Sequence, residues 1–297
     1  MSQIPQLGGF DQLGVERAVH GLSRSNVRTP LSVERIKAWV KQFKSDEEKT
    51  LAWLILRNLI FRTTEQLQSS MRQALKQAAL HFLCNTGQRE TIAWTDALKG
   101  AAGLDFSCGP PTLVSHYGMT PVGKSGDIIT RAINQRYGIK KSFPSDFTVL
   151  QEDERFIVVD DGTYTGAQLA NFLQSWEQDY STGRVAIAVG MAHQTACEYL
   201  RGSFPNVPLF YGELMTPETC FASLTQKWVD TQQWMYDKSP IEVYAEVHKR
   251  AQPFRDGDGG NGYGNIGALV AFSHGVPDDS IQLLWGVSET WKPLVER

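Results

Sequence analysis

Residues 156–169 read FIVVDDGTYTGAQL, and the reading of this stretch decides the fold. An apolar, β-rich run from Phe156 to Val159 ends in two adjacent carboxylates, Asp160 and Asp161. Gly162, Thr163, Tyr164, Thr165 and Gly166 follow as a loop, and GAQLANFLQSWEQ then has the spacing of a helix beginning near Ala167. A strand, a Gly/Thr loop and a helix start together make an anion cradle. Glycines let backbone amides converge, and the helix N-terminus adds partial positive charge. Two carboxylates beside that cradle would repel a phosphate directly. They suit hydroxyl groups or a divalent cation instead. A sugar bearing a 5′-phosphate satisfies both halves of the stretch. Acidic N-cap residues are the competing reading; that suits one aspartate better than two followed by GTYTG.

Outward from this stretch, strands and helices alternate. RVAIAVGM (184–191), VPLFYGELM (207–215) and GALVAFSHG (267–275) read as further buried strands. SGDIITRAINQRYG (125–138), AHQTACEYLRG (192–202), LTQKWVDTQQWMY (224–236) and PIEVYAEVHKRA (240–251) read as helices. LDFSCGPPTLVSH (104–116) is apolar and irregular. Near-continuous apolar strands separated by helices predict an α/β fold, a doubly wound, mostly parallel sheet. Ahead of it, Val33, Ile36, Trp39, Val40 and Phe43 share one helical face. Two more helices follow, one through Leu51, Leu54, Ile55, Asn58 and Leu59, the other through Leu67, Met71, Leu75, Ala78 and Leu83. The expected organisation is an arm over 1–30, a helical N-terminal region over 31–100 and the α/β domain over 101–297.

Composition is ordinary for a globular chain: 297 residues, 41% hydrophobic and 21% charged, with net charge −3. That charge does not support a global basic face for nucleic acid. The cysteines Cys84, Cys108, Cys197 and Cys220 form no CxxC pair, so a zinc ribbon or redox motif is not expected. No secretory signal and no run of roughly 18 apolar residues is visible, so the expectation is a cytoplasmic chain without a membrane span.

Competing motifs fail on register. A phosphatase-type D-x-D-G-T would place its nucleophile at Val159. No segment matches G-x-x-x-x-G-K-[ST]. GDGGNG (257–262) matches G-x-G-x-x-G, but no strand precedes it, and an EF-hand from Asp256 would lose ligands to Gly260 and Gly267.

Other candidates are local. Gly123, Lys124, Ser125 and Gly126 open a helix and could hold pyrophosphate through backbone amides, with Arg131 one turn on; a plain Ser125 N-cap is the alternative. Trp285 and His274 are candidates for a wall against a base, and Trp291 is a second aromatic near by in sequence. Each has a core or structural alternative, as do His116 and His193. Asp278 and Asp279 suit a solvated turn after Pro277 better than a metal site.

FIVVDDGTYTGAQL resembles the phosphoribosyl-pyrophosphate (PRPP) motif of type I phosphoribosyltransferases, part for part and in register. The resemblance implies that Asp160 and Asp161 hold the ribose hydroxyls, and with them Mg²⁺, while Gly162, Thr163, Tyr164, Thr165 and Gly166 hold the 5′-phosphate. WVKQF, LAWLILRNLIFR, GKSGDIITR, the PRPP-like motif and LVAFSHGVPDDSIQLLW…WKPLVER occur in this order. Together they resemble the phosphoribosyltransferase-like family of bacterial conflict (anti-phage) systems, some members of which are encoded beside retron reverse transcriptases. This second resemblance implies a defence effector that binds PRPP or a nucleotide. Its expected partner is a protein of the same operon, a reverse transcriptase or a helix-turn-helix protein, and a homo-oligomer is a further expectation. One departure stands out. Well-characterised phosphoribosyltransferases carry a long basic loop before the PRPP-like strand. Here the segment between helix and strand is short and combines Lys140 and Lys141 with the acidic stretch QEDER. That shortness favours the alternative of a non-catalytic sensor or interaction module.

Overall fold

The structure, a computed structural model, describes residues 10–83, 91–104, 106, 111–115, 128–129, 131–133, 135, 155–174, 183–252 and 260–296. In chain order the elements are α1 (Gln12–Arg24), α2 (Val33–Val40), α3 (Asp46–Asn58), β1 (Ile60–Arg62), α4 (Thr64–His81), α5 (Trp94–Lys99), β2 (Thr112–Ser115) and β3 (Phe156–Thr163). Then come α6 (Ala167–Gln174), β4 (Val185–His193), α7 (Gln194–Ser203), β5 (Leu209–Met215), α8 (Phe221–Asp230), α9 (Pro240–Ala251) and β6 (Val270–Phe272). The helix expected over 125–138 is seen at its described residues 128–129, 131–133 and 135. None of the described helices is long and apolar enough to cross a membrane.

Contacts divide the chain into two compact units that cut across the boundaries expected at 30 and 100. One unit joins residues 1–64 to 217–297, and the other is Glu65–Thr216.

The second unit is built on a four-stranded parallel sheet in the order β2-β3-β4-β5. Helices cover both of its faces, the α/β architecture expected from the alternating sequence. Phe156, Val158, Val185, Ile187 and Val189 point to one face, where they pack with Leu169, Ala170 and Leu173 of α6 and Cys197 and Leu200 of α7. Side chains alternate along a strand, so Gly190 and its counterpart Gly212 on β5 belong to the other face. There α4 approaches so closely that a Cβ on Gly212 would run into the Ser70 carbonyl, and one on Gly190 would lie 2.5 Å from Leu67 Cδ1. The Ser70 hydroxyl donates to Glu213 Oε1 at 2.5 Å beside this crossing. Helix α4 thus belongs to the sheet unit and not to an N-terminal helical region.

The first unit has one core, to which both ends of the chain contribute. Trp39, Leu51, Leu54 and Ile55 come from the N-terminal helices, Trp228 and Val243 from α8 and α9, and Leu283, Trp285, Trp291 and Leu294 from the C-terminal segment. Helix α3 starts at the Ser45 cap with Asp46, Glu47 and Glu48 in its first turn, and α9 starts at a Ser239/Glu242 capping box with Pro240 at its head. Arg250 of α9 makes a two-pronged bond to the Glu48 carboxylate of α3 at 2.8 and 2.7 Å. Burial pushes the Glu48 carboxyl up, but the Arg250 guanidinium and the Lys44 amide outweigh it and hold the group below its ordinary range.

The segment GALVAFSHG, expected as a fourth strand of the main sheet, does form β6. It pairs instead with β1 in a separate two-stranded parallel sheet, Ile60 opposite Val270 and Arg62 opposite Phe272. Strand β1 lies in a stretch whose spacing reads as helix. It forms because Leu59, the C-cap of α3, turns extended and the Ile60 amide bonds the Leu269 carbonyl at 2.8 Å.

His20 on α1 is 5% exposed, and its ring meets Trp53 of α3 edge-on at 5.6 Å. Burial pushes its imidazole below the ordinary range, helped by Lys37 and Arg24 and opposed by Glu16 and Glu34. The folded form therefore prefers neutral His20, while the unfolded chain takes up a proton near pH 6.5. The first unit is expected to hold its full His20-linked stability above that pH and lose it as pH falls toward the folded value. Urea midpoints at pH 7.5 and 5.5 check this. The difference should shrink in His20→Phe, and an equal difference in that variant would refute the assignment.

Candidate functional site

The PRPP-like motif lies at the carboxyl end of β3, the edge of a parallel sheet where ligands bind in open α/β folds. The apolar run Phe156–Val159 is fully inside, so the strand is committed to the sheet before the aspartates are reached. Strand β3 does not stop there. It continues through Asp160, Asp161 and Gly162 to Thr163, and the loop proper is Tyr164–Gly166. Pairing with β4 places Asp160 opposite Val189, Gly162 opposite Met191 and Thr163 opposite Ala192. Strand β4 ends at His193 and α7 starts at Gln194, so the N-termini of α6 and α7 open at this same sheet edge.

The two carboxylates occupy different environments. Asp160 is 3% exposed, and its Oδ1 accepts from the Asp161 amide at 2.9 Å. Asp161 is half-buried. Strand alternation puts Asp160 on the α6/α7 face and Asp161 on the α4 face. They are therefore two acceptors in different surroundings.

The loop is shaped by its own side chains. Tyr164 turns inward at 4% exposure, its hydroxyl 3.7 Å from Met191 Sδ. Its ring folds back over Gly162, where a Cβ would stand 3.1 Å from it. Tyr164 is thus an internal brace of the loop. The Thr165 hydroxyl accepts from the Ala167 amide at 3.3 Å, closing the turn that leads into α6. Gly166 has φ +78°, and a Cβ there would lie 3.0 Å from the Tyr199 ring and 3.2 Å from Leu200 of α7. Only glycine serves both the turn and the close packing. Thr163 is buried. His193 is also buried, at the start of α7, where its Nδ1 accepts from the Thr195 amide at 3.2 Å. Met191 and Tyr199 shape the loop without belonging to its motif. Their only sequence signal is their place at and after the end of the neighbouring strand.

The remaining candidates fall elsewhere. Gly123, Lys124, Ser125, Gly126, Lys140, Lys141 and His116 lie outside the described residues. Trp285 and His274 belong to the other compact unit. Trp285 is 7% exposed within the core, its Nε1–H donating to the Ser280 carbonyl at 3.0 Å, so it is a packed core ring and not a stacking surface for a base. Trp291 is likewise core, bonded to the Leu283 carbonyl at 3.1 Å. Cys197 and Cys220 are buried thiols; burial raises both, Cys220 to about 11, so neither is poised as a thiolate.

Oxygen donors on Asp160 and Asp161 fit the hard-cation chemistry of Mg²⁺. Among the described residues no group of three or more His, Cys, Asp or Glu side chains converges. A cation here would therefore take most of its ligands from the bound substrate and water.

A strand carrying paired acidic residues near its carboxyl end, a Thr-Gly loop and a helix start on a parallel sheet edge define a phosphoribosyltransferase-like α/β protein. The family model described as PRTase-CE matches residues 36–297, and the chain belongs to that family. No curated protein matches the chain.

Proposed function

We propose that the β3–α6 loop grips the ribose-5-phosphate of PRPP or of a nucleotide. The observation behind this reading is the juxtaposition at one sheet edge of buried Asp160, half-buried Asp161 and the N-terminus of α6, which the Thr165 turn leads into. The amides of the α6 first turn and of the loop receive the 5′-phosphate. Asp160 and Asp161 accept from the ribose 2′- and 3′-hydroxyls. Mg²⁺, held with the ligand's pyrophosphate, would neutralise the charge that the carboxylates oppose.

As a transferase, the protein positions C1′ for in-line displacement of pyrophosphate and stabilises the departing charge, the main contributions open to it in such chemistry. In a defence setting this makes it an effector acting on a nucleotide or transferring ribose-phosphate. A sensor that holds the ligand without turnover is the second reading. It is favoured by the enclosure of Asp160 and the commitment of its Oδ1 to the backbone.

Calorimetry with PRPP and Mg²⁺ tests the grip. Asp160→Asn/Asp161→Asn should weaken binding roughly 10- to 100-fold, since turning two charge-assisted bonds into neutral ones costs about 1 kcal/mol each. Unchanged affinity would refute the proposal. Release of pyrophosphate with candidate acceptors selects the transferase; binding without release selects the sensor. Loss of phage protection in the same double variant would tie the site to defence.

A further inference from the structure

A second cleft, of about 490 Å³, lies within the first compact unit. It falls in the size range of small-molecule sites. It sits at the carboxyl ends of the parallel strands β1 and β6, lined by Phe61 near the end of one and by Ser273 and His274 just past the end of the other. Leu31 and Leu294 add apolar wall. His274 is held in a fixed plane, its ring parallel to Phe272 at 5.3 Å and 1°. Arg35 supplies the charge. Of its five N–H donors, Nε bonds the Leu294 carbonyl and Nη2 the Glu296 carboxylate, each at 3.1 Å. Both acceptors belong to the C-terminal segment that forms one side of the cleft. The ion pair is exposed, with 80% of the Glu296 side chain accessible, and such pairs are weak and exchangeable.

We propose that this cleft binds a small planar anion, an aromatic ring bearing a carboxylate or phosphate, and that Glu296 is its internal competitor. The ring lies between the apolar wall and the His274 plane. The anionic group takes the Arg35 fork in place of the Glu296 carboxylate, and residues 294–296 respond to occupancy. Nothing in this site depends on Asp160 or Asp161.

Phenyl phosphate is the test ligand, because it has the ring and the anion but no ribose. Titration of the full chain should shift the His274 imidazole NMR signals, assigned with His274→Gln, and should saturate. Inorganic phosphate alone should bind at least about 10-fold more weakly. Arg35→Gln should lower affinity about 10-fold or more. Glu296→Gln should raise it about two- to fivefold, an effect a purely structural ion pair would not give. Asp160→Asn/Asp161→Asn should leave phenyl phosphate binding unchanged, which separates failure here from failure of the ribose-phosphate grip. Unmoved His274 signals in the wild-type protein overturn the proposal even if Arg35→Gln does not fold. So does weaker or unaltered binding in Glu296→Gln.

Discussion

Gly212→Val is expected to destabilise the four-stranded sheet unit by about 3 kcal/mol or more. The β-carbon alone would collide with the Ser70 carbonyl of α4, and the next contacts are also Ser70 backbone atoms. Backbone cannot swing aside as a flexible side chain can, so α4 must leave the sheet or β5 must bend. Helix α4 carries fully buried Leu67, Met71 and Leu75, all of which would lose packing together. Overpacking a core typically costs about 1–3 kcal/mol, and a forced backbone shift puts this site at or above the upper end. That is a large share of the roughly 5–15 kcal/mol that holds a domain. Thermal and urea unfolding followed by hydrogen exchange at β4 and β5 would read the loss. Gly202→Ala is the matched control, since nothing lies within 4 Å of its added carbon. In α7 it should change stability by no more than about 1 kcal/mol, in the stabilising direction. Equal behaviour of the two variants would show that the α4 approach is not close-packed.

Ending the chain after Ser280 is expected to unfold the N-terminal helices. Residues 281–296 contribute Ile281, Leu283, Leu284, Trp285, Trp291 and Leu294 to the shared core. Burial of one large apolar side chain is worth about 1.5–3 kcal/mol, so together these match or exceed the roughly 5–15 kcal/mol that holds an ordinary domain. Polar contacts are lost too. Trp39 Nε1–H donates to the Leu283 carbonyl at 3.0 Å, and Gln42 bonds the Lys292 carbonyl at 2.9 Å and its amide at 2.7 Å. Amides of α2 and α3 should lose their exchange protection while those of β3 and β4 keep theirs. Trp39→Ala is a milder form of the same test. Its ring is 1% exposed, with Phe43 at 4.8 Å and Trp291 at 6.1 Å, and its loss should cost roughly 3–5 kcal/mol. Retained protection of α2 and α3 after truncation would overturn the shared-core reading.

Sequence periodicity revealed elements better than it revealed their partners. Strands β3 and β4 were legible because both faces of each are buried, which writes a continuous apolar run. The paired aspartates and the Thr-Gly loop were legible because their residue types are unusual together at a strand end. Strand β6 was legible as a strand, but an apolar run does not say which sheet it joins. Its partner β1 is three residues long, Ile60–Arg62, and sits between two strong helices whose spacing absorbs it. Strand β2 hid in a stretch broken by Gly109, Pro110 and Pro111. Trp285 and Trp291 were ambiguous for a different reason: an indole suits a core and a ligand platform equally, and only its burial decides. A glycine within an apolar strand pattern marks close backbone approach, and Gly190 and Gly212 both carry that mark. The inward turn of Tyr164 had no such signal, because it depends on Met191 from the next strand.

The sharing of one core by residues 10–64 and 217–296 has a consequence for synthesis. A ribosome delivers α1, α2 and α3 before the sheet unit, yet side chains that cover Trp39, Leu51 and Leu54 emerge only after it. The sheet unit, continuous from Glu65 to Thr216, has all its strands available well before that. The nascent chain therefore passes through a stage in which one half can be finished while the other still exposes its apolar faces. During that stage the early helices are the part of the protein most exposed to chaperones and to aggregation.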